Sequence, residues 1–326
     1  MRIRQVLLLL LVIAVFLIVA WAWMTQPVGV PPRRGASGGV SDPARLERHV
    51  RMLAEELVPR DFEQPQNLDR AAAYIARELG GAGARVSEQP FSAGGRVYRN
   101  VLGSFGPETP ERIVVGAHYD TDGPFPGADD NASGVAGLIE LAALLGGVEL
   151  PMRVELAAYS LEEMPFFGTG EMGSAVHARS LSRPGARVRA MICLEMIGYF
   201  SDESGSQTVP FRALRLFYPG TGSFIAVAGR LRDAGLVRRV KRSMRAASAL
   251  PVYSINAPRS LPGIDLSDHA SFWNAGHPAV MVTDTAFYRN ERYHTALDTP
   301  GTLDYARMGD VVEGVFQAVR DLAGTG

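Results

Sequence analysis

The amino-acid sequence predicts a three-layer α/β domain, in which helices cover both faces of a largely parallel, mixed central sheet. Apolar runs typical of buried strands alternate with segments of helical spacing along most of the chain. Such alternation favours a parallel sheet with helices on both faces. A length of 326 residues is sufficient for one large domain with an appendage. The formal net charge of -1 argues against a nucleic-acid partner, and the single cysteine, Cys193, excludes an internal disulfide and a cysteine-rich zinc finger.

Residues 1–24 predict a transmembrane helix in front of this domain. The run 6–24 is uncharged, and about 20 apolar residues span the hydrocarbon core of a bilayer. Because Arg2 and Arg4 precede the run, the positive-inside rule places the N-terminus in the cytoplasm and the rest of the chain outside. We predict an uncleaved signal anchor and a single-pass protein of the cell membrane. The alternative is a secreted protein whose signal peptide is cleaved near the small-x-small sequence "AWA" at residues 20–22.

The elements of the chain follow this order. Residues 25–40 are rich in proline and glycine and predict a tether, and residues 41–326 form the predicted catalytic domain. The predicted helices are 44–57, 68–83, 133–146, 173–181, 223–235 and 303–324. The predicted strands are 112–118, 153–160, 189–196 and 278–284. Residues 201–222 and 243–268 are expected to be long loops that shape a site.

Acidic and imidazole side chains gather where the four predicted strands end. In strand order they are His118 with Asp120, Glu162 with Glu163, Glu195, and Asp284. In open α/β sheets the reactive groups collect just beyond the carboxyl ends of the strands, so all four ends are expected to deliver these groups to one rim.

Histidine with carboxylates, and without cysteine, is the ligand set of a hydrolytic zinc site or of a related divalent metal. A carboxylate placed like Asp120 is able to accept the second N–H of the His118 imidazole and fix its tautomer. Asp130 opens a predicted helix, where a simple N-cap is an equal alternative. Glu195 lies within an apolar strand, and a buried carboxylate almost never stays unpaired.

The remaining histidines carry weaker signals. We expect His49, His177 and His277 to be structural, and for His269 a structural hydrogen bond and a substrate contact are equally open. The basic run 238–245 is expected to be a solvated face rather than a carboxylate-binding site. Within the predicted domain 41–326 no G-x-S-x-G sequence is present, so a serine hydrolase of that type is set aside.

Four segments in this order, "GAHYDT…GADDNASGVA", "LEE", "LEMIG" and "YHTALDT", resemble metallopeptidase family 28. This is the family of co-catalytic di-zinc aminopeptidases, with glutaminyl cyclases as single-zinc relatives. The resemblance covers roughly residues 45–323 and implies a zinc aminopeptidase-like fold with two Zn²⁺ per chain. It implies that one zinc is bound by His118 and Glu195, that the other is bound by Glu163 and His294, and that Asp130 bridges the two.

The same resemblance implies a general base at Glu162, a carbonyl-polarising tyrosine at Tyr293, and an orienting role for Asp120. The implied reaction is hydrolysis of the first residue from a peptide with a free N-terminus, through a metal-bridging water. A glutaminyl-peptide cyclotransferase-like enzyme with one zinc and a non-catalytic binding relative are the alternatives. The sequence departs from the family in two places. Glu195 stands where many members have aspartate, and "MPFFGTGEMGS" stands where a glycine-rich turn is frequent, so its Phe-Phe pair lines either a specificity pocket or the core.

Overall fold

The structure is a computed structural model that describes residues 3–29 and 41–324. Residues 30–40, most of the predicted tether, lie outside the described residues. The strands are β1 (Arg85–Ala93), β2 (Arg96–Phe105), β3 (Glu111–His118), β4 (Arg153–Tyr159), β5 (Arg187–Glu195), β6 (Ile225–Arg230), β7 (Val252–Ala257) and β8 (Ala279–Thr283). The helices are α1 (Ile3–Thr25), α2 (Pro43–Arg51), α3 (Pro65–Gly81), α4 (Gly134–Leu145), α5 (Gly173–Leu181), α6 (Ala234–Ala247), α7 (His269–Asn274) and α8 (Tyr305–Ala323).

The eight strands form one mixed sheet in the order β1-β2-β4-β3-β5-β8-β6-β7. Its centre, β4-β3-β5-β8, is parallel throughout. At one edge β1 and β2 form an antiparallel hairpin, and at the other edge β6 and β7 run parallel to each other but antiparallel to β8. The predicted fold class is therefore confirmed.

Helices cover both faces of the sheet. Successive side chains of a strand point to opposite faces, so Ile113 and Val115 of β3 enter one hydrophobic core while Val114 enters the other. The larger core lies under α2, α3, α4, α6 and α8, and the smaller core lies under α5 and α7. Because helices cover both faces of the central strands, the carboxyl ends of these strands are the part of the sheet where a site can form.

Two predictions about the chain after residue 222 are wrong. The predicted helix 223–235 is instead strand β6, followed by a turn and the start of α6. A short apolar run such as "IAVAGR" has the same appearance in a buried strand and a buried helix. The predicted loop 243–268 contains the end of α6 and all of β7, whose buried Ser254 and Asn256 interrupt the apolar pattern. The hairpin of β1 and β2 was not predicted at all.

Helix α1 contains a 19-residue stretch, Leu7–Thr25, that is long and apolar enough to cross a membrane. Such a stretch is consistent with a membrane anchor and equally with a signal peptide. The stretch Leu7–Thr25 overlaps most of the predicted transmembrane segment 1–24.

Candidate metal centre

The structure brings the predicted site residues together at the carboxyl ends of the central strands. His118 is the last residue of β3, and Glu195 is the last residue of β5. Glu162 and Glu163 follow β4, Asp130 lies in an irregular turn before α4, and His294 lies in the loop after β8. All of them except His294 are buried, and the His294 side chain is 27% exposed.

Asp130 directs one carboxylate oxygen toward each histidine. Its Oδ1 lies 3.3 Å from His118 Nε2, and Glu195 Oε2 lies 3.4 Å from the same nitrogen. Its Oδ2 lies 3.0 Å from His294 Nε2, and Glu163 Oε1 lies 3.3 Å from that nitrogen. The result is two adjacent ligand sets, each with one imidazole and one glutamate, that share one aspartate.

The residues present fit two divalent metal ions. His118 Nε2, Asp130 Oδ1 and His294 Nε2 are buried atoms without a hydrogen-bond partner. Buried polar atoms are otherwise almost always satisfied, so an exception of this kind calls for a missing partner. Imidazole nitrogen and carboxylate oxygen are common zinc ligands. The ligand atoms of His118, Asp130 and Glu195 lie within 4.8 Å of one another, as one ion requires.

Without metal, this cluster concentrates negative charge in a buried place. Burial and the charge of Asp130 raise the pKa of Glu163 to about 8. Burial, followed by the charges of Glu163 and Glu195, raises the pKa of Glu162 well above its usual value. Burial opposes ionisation of Asp130, yet its close approach to the imidazoles of His118 and His294 lowers its pKa. The site therefore favours a positively charged occupant.

Asp120 acts differently from the prediction. His118 Nδ1 lies 3.2 Å from the backbone oxygen of Asp120 and 3.6 Å from its Oδ1. The Asp120 carboxylate instead accepts hydrogen bonds from the backbone N–H groups of Glu162, at 3.1 Å, and Glu163, at 3.0 Å. Asp120 thus orients the first imidazole with its carbonyl group and holds the glutamate pair with its side chain.

Two further aspartates contact the cluster and were missed by the sequence reasoning. Asp122 Oδ2 lies 2.8 Å from His294 Nδ1, the counterpart of the contact predicted for the other histidine. Asp298 accepts the backbone N–H groups of Asp129 and Asp130 and so fixes the turn that carries the shared ligand. The spacing "HYDTD" offered a weak signal for Asp122. Nothing local in the sequence distinguishes Asp298.

Asp284, which was expected on the same rim, lies outside both ligand sets. Its carboxylate accepts hydrogen bonds from the backbone N–H groups of Tyr199 and Ala286, both at 2.9 Å. The other four histidines also lie elsewhere. His49 contacts Tyr74, and His177 contacts Glu155.

His269 is a structural residue, which resolves the alternative that was left open for it. It is buried, bonds the Ile264 carbonyl oxygen through Nε2 at 2.8 Å, and packs edge-on against Trp273. Of the Phe-Phe pair, Phe166 is buried in the core against Phe62 and Tyr98, whereas Phe167 is half-buried.

A large apolar cavity opens beside the two ligand sets. Glu195 and Tyr293 form the end of the cavity nearest the metal centre, and the Tyr293 ring stacks on His294 with centroids 3.7 Å apart. Much of its wall comes from the two segments predicted to shape a site and from the β6-β7 edge of the sheet. These side chains include Leu214, Tyr218, Phe224, Ile255, Leu261 and Ile264.

Comparison with known proteins identifies relatives over most of the chain. The profile of peptidase family M28 matches residues 100–319. The chain is 47% identical over 284 residues to the uncharacterized protein YfbL of Escherichia coli (strain K12), across 85% of this chain and 87% of that protein.

Solved structures of two kinds of enzyme share the fold. BSAP, a zinc aminopeptidase from Bacillus subtilis, matches with a TM-score of 0.67 at 16% identity, over 86% of this chain and 94% of that chain. A glutaminyl cyclase from Porphyromonas gingivalis matches with a TM-score of 0.65 at 21% identity, over 87% and 99%. At these identities the likeness establishes the architecture and leaves the reaction to be argued from the site.

Proposed function

We propose that this chain, which belongs to peptidase family M28, is a membrane-anchored zinc aminopeptidase that acts outside the cytoplasm. Its substrate is a peptide with a free N-terminus, and its product is the released first residue. The observation that carries the proposal is the position of Asp130 between His118 and His294, with one oxygen toward each and a glutamate completing each set. A shared carboxylate of this kind supports two zinc ions rather than one.

Two zinc ions bound there would polarise the scissile carbonyl and make water a stronger acid near neutral pH. Glu162 is the proposed general base. Its Oε2 lies 3.9 Å from His118 Nε2, outside the two sets that Asp130 joins. A raised pKa suits a carboxylate that takes a proton from the attacking water and returns it to the leaving amine.

Tyr293 is the proposed donor to the substrate carbonyl oxygen. Burial, and then the nearby charges of Asp130 and Glu163, raise the pKa of its phenol, so the hydroxyl keeps its proton. Stacking on His294 holds the ring beside the metal centre. A protonated hydroxyl aimed at a developing oxyanion is worth more in a water-poor site than in water.

The cavity supports a preference for peptides whose first residue is large and apolar. It begins at Glu195 and Tyr293, so a substrate with its amine at the acidic cluster would place its first side chain there. We expect leucine and phenylalanine nitroanilides to be cleaved with a higher kcat/KM than aspartate or lysine nitroanilides.

The test of the proposed function is the Glu162→Gln variant of the zinc-loaded full chain. Loss of a general base is expected to lower kcat by about 10²–10⁴-fold with zinc content unchanged. Glu171→Gln, an exposed position in the same loop, is the matched control and is expected to retain full activity. Wild-type rates in Glu162→Gln, or hydrolysis that a chelator leaves untouched, would contradict the mechanism.

The likeness to a glutaminyl cyclase supports a second candidate, cyclisation of an N-terminal glutamine at a single zinc. Elemental analysis separates the two reactions, because the aminopeptidase proposal requires two zinc ions per chain. A content of one zinc together with release of ammonia from a glutaminyl peptide would favour the cyclase. Two zinc ions with neither activity would favour a non-catalytic relative.

A further inference from the structure

We propose that the domain rests on the membrane through one defined surface and that this surface binds anionic phospholipid. The lipid-facing surface consists of the basic face of α6, with Arg238, Arg239 and Arg242, and the turn 211–217. The proposal depends on α1 being the membrane anchor. It does not depend on the aminopeptidase reaction.

The carboxyl end of α1 is fixed to the domain. The backbone oxygen of Thr25 accepts hydrogen bonds from Lys241 Nζ and Ser254 Oγ, both at 2.7 Å. Thr25 and Gln26 are buried, whereas residues 7–21 are exposed along the apolar helix. The anchor therefore ends directly on α6 and β7, with no intervening linker at this contact.

This attachment places the membrane close to the same part of the domain. Trp21 and Trp23, in the last turns of α1, are 39% and 54% exposed. Tryptophan is enriched at the membrane–water interface. Since one helical turn rises about 5.4 Å, α6 and β7 lie within roughly a turn or two of that interface, and the surface around them faces lipid headgroups.

The exposed face of α6 carries unneutralised positive charge. Arg238, Arg239 and Arg242 are exposed, and none of the three forms an ion pair with another residue in the described ranges 3–29 and 41–324. Asp321, the acid that contacts α6 from α8, bonds Ser243 instead. Because the whole chain has a net charge of -1, this is a local concentration of cations rather than a general basicity.

The turn 211–217 supplies apolar side chains on the other side of β7. Leu216 is 81% exposed, Phe211 54% and Phe217 40%. The next residue, Tyr218, donates its hydroxyl hydrogen to the Ser254 backbone oxygen at 2.8 Å, so the turn is held at the residue that also holds α1. Exposed apolar groups together with arginine are typical of segments that lie in a membrane interface.

Charge complementarity favours lipid over a second copy of this chain. An isologous dimer through the lipid-facing surface would bring the same arginines of two copies face to face. A bilayer with anionic lipid offers the opposite charge, and each arginine near such a surface contributes about 1 kcal/mol. The occupant we infer is therefore an anionic phospholipid bilayer.

The test uses the full chain in vesicles with a spin label at Leu216→Cys. Val97→Cys is the matched control, because Val97 is 57% exposed and lies in the β1-β2 hairpin at the opposite edge of the sheet. The native Cys193 is buried. In phosphatidylcholine vesicles containing phosphatidylglycerol, the Leu216 label is expected to be less accessible to a water-soluble relaxing agent, and more accessible to oxygen, than in neutral vesicles. The Val97 label is expected to stay water-accessible.

A second arm tests the charges. The double change Arg238→Glu, Arg242→Glu is expected to shift the equilibrium by at least roughly 30-fold toward the state in which the lipid-facing surface does not touch the bilayer. About 2 kcal/mol of attraction is lost, 1.4 kcal/mol is a factor of ten, and the new carboxylates add repulsion. Arg179→Glu, Arg183→Glu changes the net charge equally at exposed positions of α5 and of the turn after it, on the other face of the sheet from α6, and is expected to have no effect.

Three results obtained with the labels would overturn the proposal. The first is equal access of the water-soluble agent to both labels in anionic vesicles, and the second is a Leu216 label that stays shielded from water after Arg238→Glu, Arg242→Glu. The third is spin–spin broadening in neutral vesicles, which indicates that a second copy covers the surface. Release of the chain from neutral vesicles by alkaline carbonate would also overturn it, because α1 would then not be an anchor. Aminopeptidase activity measured in detergent is expected to be the same in all these variants. The activity assay therefore tests the proposed function, and the label measurements test the lipid-facing surface independently of it.

Discussion

The imidazole of His294 is held by a carboxylate that lies outside the ligand set implied by the resemblance. Asp122 Oδ2 is 2.8 Å from His294 Nδ1, which directs Nε2 toward Asp130 and Glu163. Outer carboxylates of this kind fix the tautomer and orientation of a metal-binding histidine. His118, Glu163 and Glu195 could be proposed from sequence because they follow strand ends, whereas Asp130 and His294 were implied by the family resemblance. Asp122 had only the weak signal of its spacing, because its role depends on how two separate loops approach each other.

Replacing that carboxylate is expected to weaken one metal site and spare the other. For Asp122→Asn we predict a 10–100-fold loss of zinc affinity for one of the two ions, the usual effect of removing such a partner. Competition titration with a zinc-binding dye measures both affinities. Asp69→Asn is the control, because Asp69 is an exposed aspartate of α3 that pairs with Arg99 of β2. Equal loss at both ions, or none, would show that Asp122 does not support His294.

At the scale of elements, the strands that could be predicted are those at the centre of the sheet. β3, β4, β5 and β8 are covered on both faces and therefore appear as apolar runs in the sequence. The missed strands, β1, β2 and β7, lie at or next to the two edges, where exposed and polar positions break the pattern. β6, predicted as a helix, lies next to the edge strand β7. Whether these segments form strands depends on hydrogen bonding to neighbouring strands, and the local sequence does not contain that information.

The last helix, in contrast, has a local signal that is testable by itself. The Asp304 side chain accepts a hydrogen bond from the Arg307 backbone N–H at 3.0 Å and caps α8. Asp304→Ala is expected to lower the free energy of unfolding by about 1 kcal/mol, and Asp304→Asn, which keeps an acceptor, by much less. Urea unfolding of the zinc-loaded chain measures both. Equal loss in the two variants would mean that charge, rather than the cap, is responsible.

For the whole molecule, the proposed metal centre joins segments that are distant in the chain. Part of it was foreseen because parallel strands end on one rim, and Asp130 and His294 were implied by the family resemblance. The cavity beside it was foreseen only as two long loops, since its shape depends on β6 and β7. The contact of Thr25 with Lys241 and Ser254 had no signal in the sequence, because it joins residues more than 200 positions apart. The sequence therefore predicted which residues gather in the acidic cluster better than it predicted the cavity beside them.

The buried acidic cluster makes the stability of the metal-free molecule depend on pH. Burial and neighbouring charge raise the pKa of Glu163 to about 8, whereas an unfolded glutamate titrates near about 4.3. Between these values the folded state binds more protons than the unfolded state, so stability falls as the pH rises through this window. His294 acts in the same direction. Burial lowers its pKa, but Asp130 and Glu163 together raise it to about 10, so its stabilisation is lost as the pH rises from about 6.5.

Zinc bound to the cluster would replace those protons, so it is expected to stabilise the chain more at pH 8 than at pH 6. Differential scanning calorimetry with EDTA should show Tm falling over this range, because the free energy of unfolding falls by up to about 1.4 kcal/mol per pH unit for each proton involved. With zinc the slope should be shallow, the remainder coming from Asp284 and Asp298, whose pKa values burial raises to about 7 in the neighbouring loops. Glu163→Gln should flatten the EDTA slope and Glu171→Gln should not. Parallel slopes with and without zinc would show that these carboxylates do not meet around metal ions.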